Sequence, residues 1–168
     1  MRNRCFLFLV LGYLVFPASA QAKNVGQDAR LGLGVGFGTL MSGVSVKQYL
    51  SPTTAVQGLF GTSGFGIGGS ADIVLTQATL WSNRDATVRW GVGAGLGFAS
   101  HFFAFGSNGG RGQFVDFTAV LELVLHIKSM PLEITTDFRP GILRGVGAFS
   151  SLSFLHLGGG GGAVRWYF

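Results

Sequence analysis

The amino-acid sequence predicts an all-β fold, an eight-stranded antiparallel up-and-down transmembrane β-barrel. Three observations carry that prediction. Large apolar residues alternate with glycine or polar residues over stretches long enough to cross a bilayer as strands. The chain ends Val164-Arg165-Trp166-Tyr167-Phe168; successive side chains of a strand point to opposite faces, so Val164, Trp166 and Phe168 share one face and Arg165 takes the other. Residues 1–22 read as a secretory signal peptide, with Arg2 and Arg4 before an apolar run from Cys5 to Phe16 and small residues at Ala18, Ala20 and Ala22.

Cleavage after about Ala22 leaves 146 residues, enough for one domain, so residues 23–168 are expected to form the barrel. The strands are expected at 30–39, 43–50, 54–63, 68–82, 86–100, 113–128, 131–140 and 151–168. The first is strictly period two, with Leu31, Leu33, Val35 and Phe37 alternating with Gly32, Gly34, Gly36 and Gly38. Ser51-Pro52-Thr53 separates the second strand from the third, and Asn83-Arg84-Asp85 the fourth from the fifth. In the fifth, Val88, Trp90, Val92, Ala94, Leu96 and Phe98 alternate with Arg89 and four glycines. The sixth sets Phe117, Ala119, Leu121, Leu123, Leu125 and Ile127 against Asp116, Thr118, Val120, Glu122, Val124 and His126. After Ser129-Met130-Pro131 the seventh sets Leu132, Ile134, Thr136 and Phe138 against Glu133, Thr135, Asp137 and Arg139. An even strand count returns both ends to one side. The short turns fall there, and the longest connections, 101–112 and 141–150, fall on the other.

Hydropathy alone also admits membrane helices, because Gln48 to Ala71 and Trp90 to Gly110 lack Lys, Arg, Asp and Glu. Glycine argues against them, since each one inside a helix costs ~1 kcal/mol relative to alanine. The GxxxG matches at Gly91/Gly95 and Gly93/Gly97 follow automatically from period two. Cys5 is the only cysteine and lies in the signal, so the exported chain has no thiol for a disulfide or a metal. The formal charge of +5 falls to about +3 without Arg2 and Arg4, and the basic residues are scattered, which speaks against nucleic-acid binding.

The opening Leu-Gly-Leu-Gly-Val-Gly strand, Lys47-Gln48-Tyr49-Leu50-Ser51-Pro52, the stretch from Pro131 to Gly141 and the ending Arg165-Trp166-Tyr167-Phe168 together resemble the small outer-membrane β-barrels of Gram-negative bacteria, typified by the OmpA transmembrane domain. The resemblance covers about residues 30–168. It implies the bacterial outer membrane as location, and outer-membrane lipid and lipopolysaccharide as surroundings. It also implies the barrel-assembly machinery as a partner, which reads the terminal face of Val164, Trp166 and Phe168. No stretch resembling the family's peptidoglycan-binding module follows Phe168, so that activity is not carried over.

Aligning the strand faces predicts an inward charge network of Lys47, Asp72, Arg89, Asp116, Glu122, His126, Lys128, Glu133, Asp137, Arg139 and Arg165. Five cations then face five anions besides His126, which suits a narrow lumen closed by pairing. The tryptophans Trp81, Trp90 and Trp166 are expected to form an aromatic girdle near the short turns. The expected role is structural or surface-contacting, by a monomer without cofactor, metal or enzymatic activity. A narrow ion-conducting barrel and a lipid-modifying hydrolase are the alternatives. For the latter, Ser100, His101, Ser107, Ser153, His156, Glu122 and His126 are candidate pieces without a recognisable signature. Gly64 to Gly69 matches GxGxxG in letters, but no helix follows. Gly158 to Gly162 reads as a bulge or a close backbone approach. Arg111, in the long outer connection, is a candidate contact for anionic lipopolysaccharide.

Overall fold

A computed structural model describes residues 31–39, 41–63, 66–101, 112–147, 150 and 152–168. The predicted signal peptide, residues 102–111 with Arg111 and Ser107, and the first two residues of the GxGxxG match lie outside them. The elements are β1 (Leu31–Gly38), β2 (Ser42–Ser51), β3 (Thr54–Ser63), β4 (Gly66–Ser82), β5 (Ala86–His101), β6 (Gly112–Ile127), β7 (Leu132–Gly147) and β8 (Ser153–Tyr167). Each strand pairs antiparallel with its sequence neighbours, and β1 pairs with β8 from Gly32↔Tyr167 to Gly38↔Gly161, closing the sheet into a ring. Along the length of β1, closure pairs the edges that an open sheet would expose. The described residues contain no helix, which overturns the helical alternative for Gln48 to Ala71 and for the described part of Trp90 to Gly110.

The alternation of residue types dictates which face each side chain takes. Leu33, Val35 and Phe37 on β1, Leu96 and Phe98 on β5, Phe117 and Leu121 on β6, and Val164 and Trp166 on β8 are exposed on the outside. Lys47, Asp72, Glu122, Glu133 and Arg165 are buried within, beside Ser45, Gln57, Thr135 and small apolar groups such as Ala55, Val74 and Ala163. Polarity is therefore inverted relative to an ordinary globular core. Glycine permits the tight closure at the seam: a Cβ on Gly34 would collide with the Val164 carbonyl of β8.

Three irregularities modify the simple alternation. On β4, register shifts beside Gln77 and Leu80 each add one residue relative to β5. The second restores the phase lost at the first, so Trp81 still faces outward. On β8 the slip is single. Arg139 pairs with Gly159 but Gly141 with His156, so Pro140 faces both Leu157 and Gly158. Proline cannot donate to a ladder and is accommodated at such a bulge. Because only one residue is inserted, the phase of β8 reverses beyond Gly159, and the even-numbered His156 turns inward.

Two expected boundaries need correction. The connection expected at 141–150 is largely strand, because the bulge lets β7 continue past Pro140 to Gly147, where a positive φ of 68° begins the turn to β8. Lys128, expected inside, lies in the turn after β6, where its ammonium donates to Ser82 Oγ and the Asn83 carbonyl and ties two neighbouring turns together.

Gly34→Ala should destabilise the folded ring by about 1–3 kcal/mol, the range for overpacking a site that cannot yield. Gly158→Ala should be nearly neutral, since a Cβ there meets nothing within 4 Å. Urea denaturation in detergent measures both, and equal effects would contradict the seam geometry.

Candidate functional site

The inward side chains form two tiers. In the tier nearer the short turns, Lys47 from β2 donates to both Glu122 oxygens at 3.1 and 2.9 Å and lies 3.3 Å from Glu133 Oε1. Arg165 from β8 reaches Glu133 at 3.2 Å, Thr135 at 3.2 Å, Ser45 at 2.8 Å and Gln57 at 3.2 Å. Tyr49 donates to the remaining Glu133 oxygen at 2.7 Å. Two cations thus meet two anions. The Lys47, Glu122 and Glu133 side chains retain 2% exposure or less, so this tier excludes bulk water. Below it, the rings of Tyr49, His126 and Tyr167 stand 5.6 to 6.4 Å apart and form a floor, with His126 Nε2 3.5 Å from Glu133.

The second tier lies toward the longer connections. The Arg139 guanidinium grips Asp72 bidentately at 2.9 and 2.8 Å, and its Nε donates to Asp137 at 2.6 Å. A Cβ on Gly95 would run into the Asp72 carboxylate, so this glycine makes room for the clamp. His156 Nε2 lies 2.8 Å from Asp116, and its Nδ1 is buried without a partner among the described residues. Gln57 links the tiers, accepting from Arg165 and donating to Asp72 at 3.3 Å. A cavity of about 50 Å³ opens here, bordered by Thr39, Met41, Asp72, Asp116, Arg139 and His156. At ~10–15 Å³ of such space per water, it has room for a few water molecules. The His156 and Arg139 side chains keep 19% and 17% exposure, which makes this tier wet where the other is dry.

The structure brings together Lys47, Asp72, Glu122, Glu133, Asp137, Arg139 and Arg165 from the predicted network. Asp116 joins through His156, which the sequence reading did not place inside, and His126 stands at the floor. Arg89 occupies an inward register position opposite Thr79 and Val124 but forms no ion pair among the described residues. Lys128 is excluded by its turn. The expected balance of five against five therefore gives way to one neutral tier and one acidic tier. His156 was missed because strict alternation places it with Val164 and Trp166; Pro140 opposite the glycine run was the available signal of a slip.

The other predicted residues lie on the outside. Val164, Trp166 and Phe168 are exposed together, and the Phe168 amide donates to the Leu31 carbonyl at 3.0 Å. Trp81 is exposed two residues before its turn, whereas Trp90 sits further along β5 opposite Leu123. Of the hydrolase pieces, Ser107 and the His101 side chain lie outside the described residues; Ser153 and Ser100 occupy outward register positions, and no serine bonds a histidine among the described residues. Comparison with protein-family models, curated proteins and solved structures gives no match.

Truncating Lys47 to methionine leaves Glu122 and Glu133 without their shared cation. Unfolding in urea should show a loss of about 3–5 kcal/mol, as for breaking other buried pairs. Adding Glu122→Gln should recover part of that loss; a purely additive double mutant would contradict the coupling.

Proposed function

We propose that the ring is an eight-stranded β-barrel of the bacterial outer membrane, similar to the OmpA transmembrane domain, with a structural or surface-contact role. The inverted polarity carries this reading. A continuous girdle of exposed Leu, Val, Ile, Phe and Trp surrounds a strip of fully buried ions. Soluble monomers rarely expose apolar patches beyond a few hundred Å², whereas a membrane barrel needs an outward apolar band about 25 Å tall. Outer-membrane lipid and lipopolysaccharide are then the surroundings, and a cleaved signal at residues 1–22 is the means of export. The terminal face of Val164, Trp166 and Phe168 is the feature the barrel-assembly machinery reads. Trp81 and Trp166 mark one interface.

The protein acts as a monomer without catalysis in this reading. The neutral tier around Lys47 and Arg165 closes the lumen, which supports a plug over a standing ion path. Among the described residues Ser100 and Ser153 take outward register positions while His126 and His156 take inward ones, so these four lend the hydrolase reading no nucleophile beside a base.

Refolded into phosphatidylcholine bilayers, the protein should give a sheet-type circular dichroism spectrum and migrate differently on gels before and after boiling. Lipids brominated near the glycerol end of the chain should quench Trp81 and Trp166. Planar bilayers should show no discrete conductance steps. A helical spectrum or unquenched tryptophans would refute the membrane assignment, and regular channels would refute the closed lumen.

A further inference from the structure

Among the described residues, the seam between β1 and β8 leaves one strand edge without a partner. β1 ends at Gly38 opposite Gly161. Thr39 covers one residue more: its hydroxyl accepts from the Gly160 amide at 2.7 Å and donates to the Gly160 carbonyl at 3.1 Å. β8 continues to Ser153, held on its other side by β7 as far as the Arg144↔Ser153 pair. Among the described residues nothing pairs with the seam side of Ser153–Gly159. In an antiparallel ladder the backbone groups of successive residues face alternate neighbours, so about half of this segment's amides and carbonyls have no strand to bond. Such edges are ordinarily blunted by charge, proline, a bulge or a cover; here the bulge at Leu157 and Gly158 bends the edge but leaves Ser153–His156 in regular pairing with β7. Residues 153–163 contain no Lys, Arg, Asp, Glu or Pro. Leu155 and Leu157 are 66% and 68% exposed.

The edge borders the wet chamber. The chamber's wall runs from Thr39 and Met41 at the end of β1 to Asp116, Arg139 and His156 on the far side. Asp72, Asp116 and Asp137 set three carboxylates against the Arg139 guanidinium and the His156 ring, while Arg165 beneath them is engaged by Glu133. The chamber therefore attracts cations.

We propose that the β8 edge from Ser153 to Gly159 and the acidic chamber beside it form a docking site for an extended basic polypeptide segment. The segment adds as a strand, and its backbone bonds the open amides and carbonyls. Its alternate side chains fall on two faces. Lysine or arginine residues enter the chamber toward Asp116 and Asp137, and apolar residues lie outside against Leu155 and Leu157. Charge decides the occupant: a second copy of the same edge offers the chamber no permanent cation, because residues 153–163 carry none. The inference itself requires only the ring; its nanodisc test rests also on the proposed membrane assignment, whose failure would show separately as a helical spectrum or unquenched tryptophans.

The test uses the full chain in zwitterionic phosphatidylcholine nanodiscs and a fluorescent nine-residue peptide alternating lysine and leucine. Anisotropy should show saturable binding, and amide exchange at residues 153–159 should slow when the peptide is present. A glutamate–leucine peptide, and a lysine–leucine peptide N-methylated at alternate amides, should each bind on the order of tenfold more weakly, as expected for losing charge-assisted or backbone hydrogen bonds. Asp116→Asn, which keeps an acceptor for His156, and Leu155→Lys, on the exposed outer flank, should each weaken the lysine–leucine peptide by a similar factor. Equal binding of all three peptides would mean adsorption to the bilayer alone and would overturn the proposal. So would unchanged exchange at 153–159, or protection there without peptide, which would mean that the chain covers its own edge.

Discussion

Everything in this molecule follows from how little room eight closed strands leave inside. The lumen of such a sheet is filled by its own side chains, so whatever points inward must be small, or polar and fully bonded. Both solutions appear. Glycine lines the seam where backbones approach, and Lys47, Glu122, Glu133 and Arg165 bond one another where side chains meet. An ion taken from water without a partner costs several kcal/mol, so the quartet is stable only as a complete set. That requirement fixes the register of β2, β6, β7 and β8 as firmly as the backbone ladder does, because a slip of one residue would send every one of these charges to the apolar outer face.

The division between a dry tier and a wet one adds a direction to the lumen. At the short-turn end, charge is balanced and water is shut out by Tyr49, His126 and Tyr167. Toward the longer connections, the carboxylates of Asp72, Asp116 and Asp137 outnumber their cations, and the Arg139 and His156 side chains that bind them stay in contact with solvent. The same protein thus presents a stopper on one side and an acidic recess on the other. The recess lies beside the part of β8 that outruns β1.

Much of this was legible in the sequence because a strand's period is a whole number: two. Leu31 to Gly38 and Asp116 to Ile127 declare their faces residue by residue, and Ser51-Pro52-Thr53 and Asn83-Arg84-Asp85 declare the turns between strands. Counting parity from those runs places Lys47, Asp72, Glu122, Glu133, Asp137, Arg139 and Arg165 correctly inside. Parity is also where the reading broke down. A single inserted residue opposite Pro140 inverts everything beyond it, which hid His156, whereas the two insertions on β4 cancelled and left Trp81 where counting put it. Lys128 escaped because it sits just past the last paired residue of β6. Partnership was beyond reach: the up-and-down order gives each strand its neighbours, but which carboxylate Lys47 meets across the interior depends on the relative stagger of non-adjacent strands β2 and β6, and nothing local encodes that.

The quartet also bears on how the chain reaches its final form. Lys47 and Glu122 are 75 residues apart, and Arg165 meets Ser45 across 120. Until the last strand arrives, Glu133 lacks the Arg165 half of its neutralising environment. The interior must therefore stay hydrated through most of assembly, and its central waters leave only when the first and last strands join. Such dependence on distant partners predicts a late, cooperative commitment step, with desolvation of the axis as the event that locks the circle.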